Sequence, residues 1–184
     1  DVYLLKNNDP KRKLKYSLEI IKAGKNLVGV NTHMANKIVN HGLSNNLVKE
    51  LRNINNIKPE VFFNKDTRFD FLIQKKNEKI FVEVKNVTLF RNKNTAEFPD
   101  AVTSRGSKHL LALIDAIKKG YKSYLLFLVQ IQNMEKFKIA SDIDSEYYKN
   151  YLNAKKAGVN FLAYRCKISS KEIFIEKKLK IINE

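Results

Sequence analysis

Residues 124–129, Tyr-Leu-Leu-Phe-Leu-Val, form an unbroken apolar run with Ser123 before it and Gln130 after it. A run so short falls far below the roughly 20 apolar residues of a membrane span. As a strand it carries apolar side chains on both faces, so both faces must be covered, the usual situation of a strand inside an α/β sheet. The chain supplies helices to cover them. Residues 102–119 carry an apolar stripe of Leu110, Leu113, Ile114 and Ile117. Lys118 and Lys119 suit the negative end of the helix dipole and Gly120 suits its stop; Asp100, after Pro99, is the expected N-cap. Residues 145–157 read as a second helix, with Asp144 as N-cap and Gly158 as the stop. The chain is therefore expected to be α/β, with a mixed sheet flanked by helices.

Other segments fill in that plan. Residues 61–63, 69–73, 80–87, 161–166 and 172–175 have strand composition. Between residues 32 and 52, Met34, Ile38, Leu47 and Leu51 recur at helical spacing, Gly42 is expected to split the run into two helices, and Pro59 closes the region. Residues 2–5 and 14–21 read as strands around the turn-forming Asn7-Asn8-Asp9-Pro10. Two strands do not make a stable sheet alone. They read as the tail of a small β domain, and a chain that begins at Asp1 without an initiator Met is expected to be a fragment. The length of 184 residues suits one compact domain, or one domain with a small appendage.

Charge narrows the partners. Lys and Arg number 35 against 19 acidic residues, a formal net charge of +16. Such an excess attracts polyanions by neutralising phosphates and releasing their counterions. An AT-rich genome, which inflates Lys and Asn, would produce the same bias. Lys11, Arg12 and Lys13 in the first loop are candidate phosphate contacts, or else a solvated charge run. The single Cys166 forms no internal disulfide and no multi-cysteine zinc site; it reads as a core residue of an apolar strand and favours a reducing, cytoplasmic setting. No signal peptide or membrane span is visible. His33 and His41 lack a metal-ligand spacing.

Chemistry concentrates in one hairpin. A two-residue turn at Lys76-Asn77 sets Asp70 directly opposite Glu83, with Cβ atoms about 5 Å apart on one face. Strand alternation puts Lys85 on that same face and turns Val82 and Val84 into the core. Two facing carboxylates repel, and a divalent cation between them, Mg2+ or Mn2+, reverses the sign. Lys85 beside such a metal could orient water or meet developing phosphoryl charge, and Glu60 could reach the site as a further ligand. The same Glu-x-Lys pattern also suits a solvated face with a weak ion pair.

The order Glu60, Asp70 within Arg-Phe-Asp-Phe, then Glu83-Val84-Lys85 resembles the PD-(D/E)xK nuclease superfamily. Phe69 stands where that superfamily often has proline. Four further segments are more specific: FPDAVTSRGSKHL over 98–110, VNTHMAN over 30–36, FVEVKNVTL over 81–89 and GVNFLAYR over 158–165. In this order they resemble the sugar fermentation stimulation protein (SfsA) family along essentially the whole chain. The resemblance implies DNA binding and a PD-(D/E)xK restriction-endonuclease-like domain over 29–184. It also implies an OB-like DNA-binding barrel, of which residues 1–28 are the C-terminal part. It carries over Glu60, Asp70 and Glu83 as metal ligands, with Asp70, Glu83 and Lys85 catalytic.

Arg105 and His109, one helical turn apart, share a face, and the family motif makes both candidate catalytic residues, the plain alternative being an ion-paired arginine and a partly buried helix histidine; Arg105 and Lys108 are the expected phosphate contacts of that helix. Asn31, Thr32 and Asn36 are expected to cap and brace the helix joining the two units. Tyr3 and Tyr16 are candidate stacking aromatics of the barrel. Two functions remain open at this point: metal-dependent DNA cleavage, for which a homodimer would suit cutting of both strands, and non-cleaving DNA binding that regulates sugar-utilisation genes. A basic RNA-associated protein is a third reading, carried by charge alone.

Overall fold

The apolar run lies at the centre of the sheet. In the computed structural model, which describes residues 1–182, it belongs to strand β9 (Lys122–Val129). β9 is flanked by β6 (Glu78–Val87) and β11 (Asn160–Ile168), both parallel to it. β5 (Arg68–Lys75) and β4 (Asn56–Phe62) extend the sheet antiparallel beyond β6, and β12 (Ile173–Lys178) closes the other edge. The resulting six-stranded mixed sheet has the order β12-β11-β9-β6-β5-β4.

Both faces of that sheet are covered, as the run requires. On one side α1 (Ala35–Ser44) packs Ile38, Val39 and Leu43 against Val82, Val84, Leu126 and Leu128. On the other, α2 (Ser104–Lys118) and α3 (Ser145–Lys156) bring Leu110, Leu113, Tyr147 and Tyr151 onto Phe81, Leu125 and Phe127. A second sheet of four short strands joins this side, in the order β13-β10-β8-β7. Its members are β7 (Leu89–Asn92), β8 (Thr95–Phe98), β10 (Lys136–Ile139) and β13 (Lys180–Ile181).

The N-terminal segment is a three-stranded antiparallel meander of β1 (Val2–Lys6), β2 (Tyr16–Ala23) and β3 (Asn26–Gly29). β3 is absent from the sequence expectation, and the expected boundary at residue 28 falls inside it. The last two residues of the expected second unit, 183 and 184, lie outside the described residues. Among the described residues no helix is long and apolar enough to cross a membrane.

Three local expectations are corrected. Gly42 does not break the helix: α1 runs through it to Ser44, and a Cβ there would lie 2.6 Å from Ile175 Cδ1. The glycine lets β12 approach the helix. Asp100 does not cap α2; Thr103 does, its side chain accepting from Gly106 N at 3.0 Å. Pro59 lies within β4 rather than ahead of the β section, which an edge strand tolerates because its N–H side need not join a ladder. The other caps fall as expected: Asp144 accepts from Tyr147 N at 2.8 Å, and Gly120 and Gly158 take φ of 85° and 96° just beyond their helices. Cys166 is buried, and burial pushes its thiol up.

Candidate functional site

The hairpin register places the acids. β5 and β6 pair from Lys75↔Glu78 to Phe71↔Val82 around the two-residue turn, so Asp70 and Glu83 occupy the next rung. There the ladder opens. Alternation along β5 breaks at Asp70: Phe71 and Ile73 pack on the α1 side, whereas Phe69 joins the opposite core. Asp70 does not simply face Glu83 across a regular pair; its Oδ2 accepts from Val84 N at 2.7 Å. Glu60 sits on the same rung of β4, between Pro59↔Phe71 and Val61↔Phe69, with a left-handed φ of 56°. Such a conformation in a non-glycine residue is strained and concentrates at functional positions.

Glu60, Asp70, Glu83, Lys85, Arg105 and His109 line one groove of about 450 Å³. All the acids, the lysine and the α2 pair expected from the sequence are thus in one place. Lys11, Arg12 and Lys13 are not; they lie exposed in the β1–β2 loop, where Arg12 Nη1 reaches Ser17 Oγ at 3.3 Å. Lys108 lines an adjoining groove.

Glu83 is 3% exposed, so the solvated-face alternative for Glu-x-Lys is excluded. Its Oε1 accepts from Lys85 Nζ at 2.7 Å and is hydrogen-bonded to His109 Nδ1, while Lys85 Nζ lies 3.2 Å from that same nitrogen. Its Oε2 is buried without a hydrogen-bond partner. Burial raises the Glu83 pKa, but His109 and Lys85 together outweigh it and hold the carboxyl below the usual range. Asp70 goes the other way. Burial and the Glu83 charge raise it to about 6, although Val84 N–H and Asn36 Nδ2, at 2.7 Å, both donate to its carboxylate.

Two neighbouring carboxylates pushed apart in pKa, one with a spare buried oxygen, offer the oxygen donors that hard divalent cations take. Glu60 is committed elsewhere: half-exposed, it ion-pairs with Arg68 at 2.8 Å. Among the described residues no group of three His, Cys, Asp or Glu side chains forms a complete ligand set.

Sequence reasoning missed several members. Asn36, expected as a helix brace, holds Asp70 across the fold through its amide. His33 and Arg68 line the groove as well. Asn31 behaves as expected, accepting from His33 N at 3.1 Å. His33 and Asn36 lie in the 30–36 segment and Arg68 two residues before Asp70, but what each of them touches is set only where α1 and β5 meet in the tertiary structure.

Comparison with known proteins agrees with this architecture. Residues 33–172 match the family model described as "Sugar fermentation stimulation protein RE domain". The sugar fermentation stimulation protein homolog of Pelagibacter ubique (strain HTCC1062) is 75% identical over 182 residues, covering 99% of this chain and 78% of that one. The homolog of Clostridium perfringens (strain SM101 / Type A) is 40% identical over 182 residues, with 98% and 78% covered. Among solved structures, Pyrococcus furiosus SfsA, described in complex with Ca2+, superposes with a TM-score of 0.89 at 25% identity, covering 99% of this chain and 78% of that one. On sequence and on fold alike, the chain belongs to the sugar fermentation stimulation protein family.

Proposed function

We propose that the chain binds DNA and hydrolyses its phosphodiester bonds in this groove, with Asp70 and Glu83 holding a divalent cation, Mg2+ or Mn2+. The observation that carries the reading is Glu83: a buried carboxylate with one oxygen held by Lys85 and His109 and the other without a partner, near enough to Asp70 for the two charges to interact. The Pyrococcus furiosus relative, solved in complex with Ca2+, supports it, since Ca2+ shares the oxygen preference of Mg2+. The order of acids along β4, β5 and β6 is the PD-(D/E)xK pattern, and residues 1–28 are assigned to an OB-like barrel whose basic loop adds backbone contacts.

Each residue then has a task. Asp70 and Glu83 would hold the divalent cation, which would supply positive charge to stabilise the phosphoryl group. Lys85, held between Glu83 and His109, presents its ammonium to the phosphate oxygens or to the attacking water. His109 orients Glu83 by occupying Oε1. Asn36 fixes Asp70, and exposed Arg105 grips the phosphate backbone.

One observation favours a second reading. Glu60 pairs with Arg68 instead of completing a ligand set, which suits a non-cleaving DNA-binding regulator that has kept a partial site. A cleavage assay with Mg2+ or Mn2+ on single-stranded, duplex and branched DNA separates the two, with a gel shift on the same samples and Asp70→Ala/Glu83→Ala as control. Metal-dependent cleavage lost in the control is expected. Binding without cutting on every substrate would replace the hydrolytic reading with the regulatory one.

A further inference from the structure

A second groove, of about 680 Å³, runs beside the acidic one and shares Arg68, Arg105 and His109 with it. Its walls are the loop between β4 and β5 and the outer face of α2; with Arg68 and Arg105, exposed Lys65 and Lys108 outnumber the exposed acids Asp66 and Asp115 there, so the groove is basic on balance. At its rim Phe62 is 68% exposed, although its neighbour Phe63 is packed in an aromatic cluster with Phe69 and Phe81. The Arg68 guanidinium lies over the Phe62 ring, 5.7 Å from its centroid, and the same Arg68 ion-pairs with Glu60 at 2.8 Å. An exposed aromatic face is thus tied through one arginine to the acidic site.

Phe62 is poorly placed to recruit a further strand. β4 is the edge of the sheet, but Pro59 lacks a donor and Glu60 is left-handed, so its backbone makes a poor ladder. Aromatic rings set along a basic groove are instead the usual means of holding single-stranded nucleic acid, since every base offers a π-face. In a duplex those faces are already stacked on neighbouring bases.

We infer that Phe62, backed by Arg68, is a stacking platform for an unpaired base next to the phosphate held in the acidic groove, so that the site takes single-stranded DNA or a single-stranded flank in preference to continuous duplex. The substrate preference rests on the phosphodiesterase reading; the platform itself is a binding claim that stands apart from cleavage.

The chain contains no tryptophan, so Phe62→Trp introduces a single fluorescent probe at the platform. The full chain is titrated with a thymidylate 12-mer and with a 12-base-pair duplex, in EDTA and again in Ca2+, and cleavage of both is followed in Mn2+. The platform predicts that Phe62→Trp keeps single-strand affinity and is quenched by the single strand much more than by the duplex. It also predicts that Phe62→Ala weakens single-strand binding about tenfold and leaves duplex binding unchanged. Single-strand binding indifferent to Phe62→Ala, or equal loss on both substrates, overturns the platform whatever the cleavage result. Phe62-dependent single-strand binding without cleavage upholds the platform and removes the phosphodiesterase reading instead.

Discussion

Asp70 carries the clearest electrostatic signature in the molecule. Its carboxyl titrates at about 6 in the fold against an ordinary 3.8, so above pH 6 the folded protein holds a charge that burial and Glu83 disfavour. That penalty is about 2–3 kcal/mol at pH 8 and shrinks to about half by pH 5, because the unfolded chain is then still largely ionised while the folded one is protonated. Asp70→Asn keeps an accepting oxygen for Val84 N–H, and the Asn36 amide can turn to match it. In chelator the variant should therefore melt higher than the parent at pH 8, with a smaller gain at pH 5. A lower melting temperature at both pH values would contradict the burial and repulsion assigned to this carboxyl. At this scale the residue types of the site were legible and their partners were not. Glu83 and Lys85 follow from strand alternation, whereas Asn36, although it ends the 30–36 motif, carries nothing that names Asp70 as its partner, and Phe62 has neither a spacing nor a motif; their roles exist only once α1 and the β4 edge are in place.

Among the elements, Asp144 links two helix starts. One oxygen caps α3 through Tyr147 N and the other accepts from Thr103 N, the residue that caps α2, each at 2.8 Å. Asp144→Ala should cost about 2–4 kcal/mol, the sum of a lost cap and an unpaired, part-buried N–H at Thr103. Urea unfolding checks it: the midpoint should fall with the slope unchanged, and an unmoved midpoint would refute the linkage. The α3 half of this arrangement was readable from Asp144 alone. The α2 half was not: the sequence pointed to Asp100, and the cap falls on Thr103, whose side chain accepts from Gly106 N while its own N–H is held by Asp144. The hairpin register was legible because its turn is two residues long. The four-stranded second sheet was not, because its strands are four residues or fewer and lie in polar or mixed segments without a sustained alternation.

Across the whole molecule, the +16 net charge becomes specific only where basic side chains line a groove. Lys65 and Lys108 do so beside the site, whereas Lys155 and Lys156 end α3. Lys65→Glu/Lys108→Glu should weaken DNA binding and lower the slope of log affinity against log salt by about 0.7–0.9 per lost phosphate contact. Lys155→Glu/Lys156→Glu should leave the slope within one such contact of the parent, and the opposite ranking would move the interface to another face. The α/β class itself was written in residues 124–129, whose doubly covered strand demands helices on both sides. The central claim is that Asp70 and Glu83 hold a divalent cation, and calorimetric titration of Mn2+ into the metal-free chain at pH 8 tests it most directly. One site per chain, abolished by Asp70→Ala/Glu83→Ala and retained by Lys11→Ala, is the predicted result. No binding to the parent, or undiminished binding to the double variant, would contradict it.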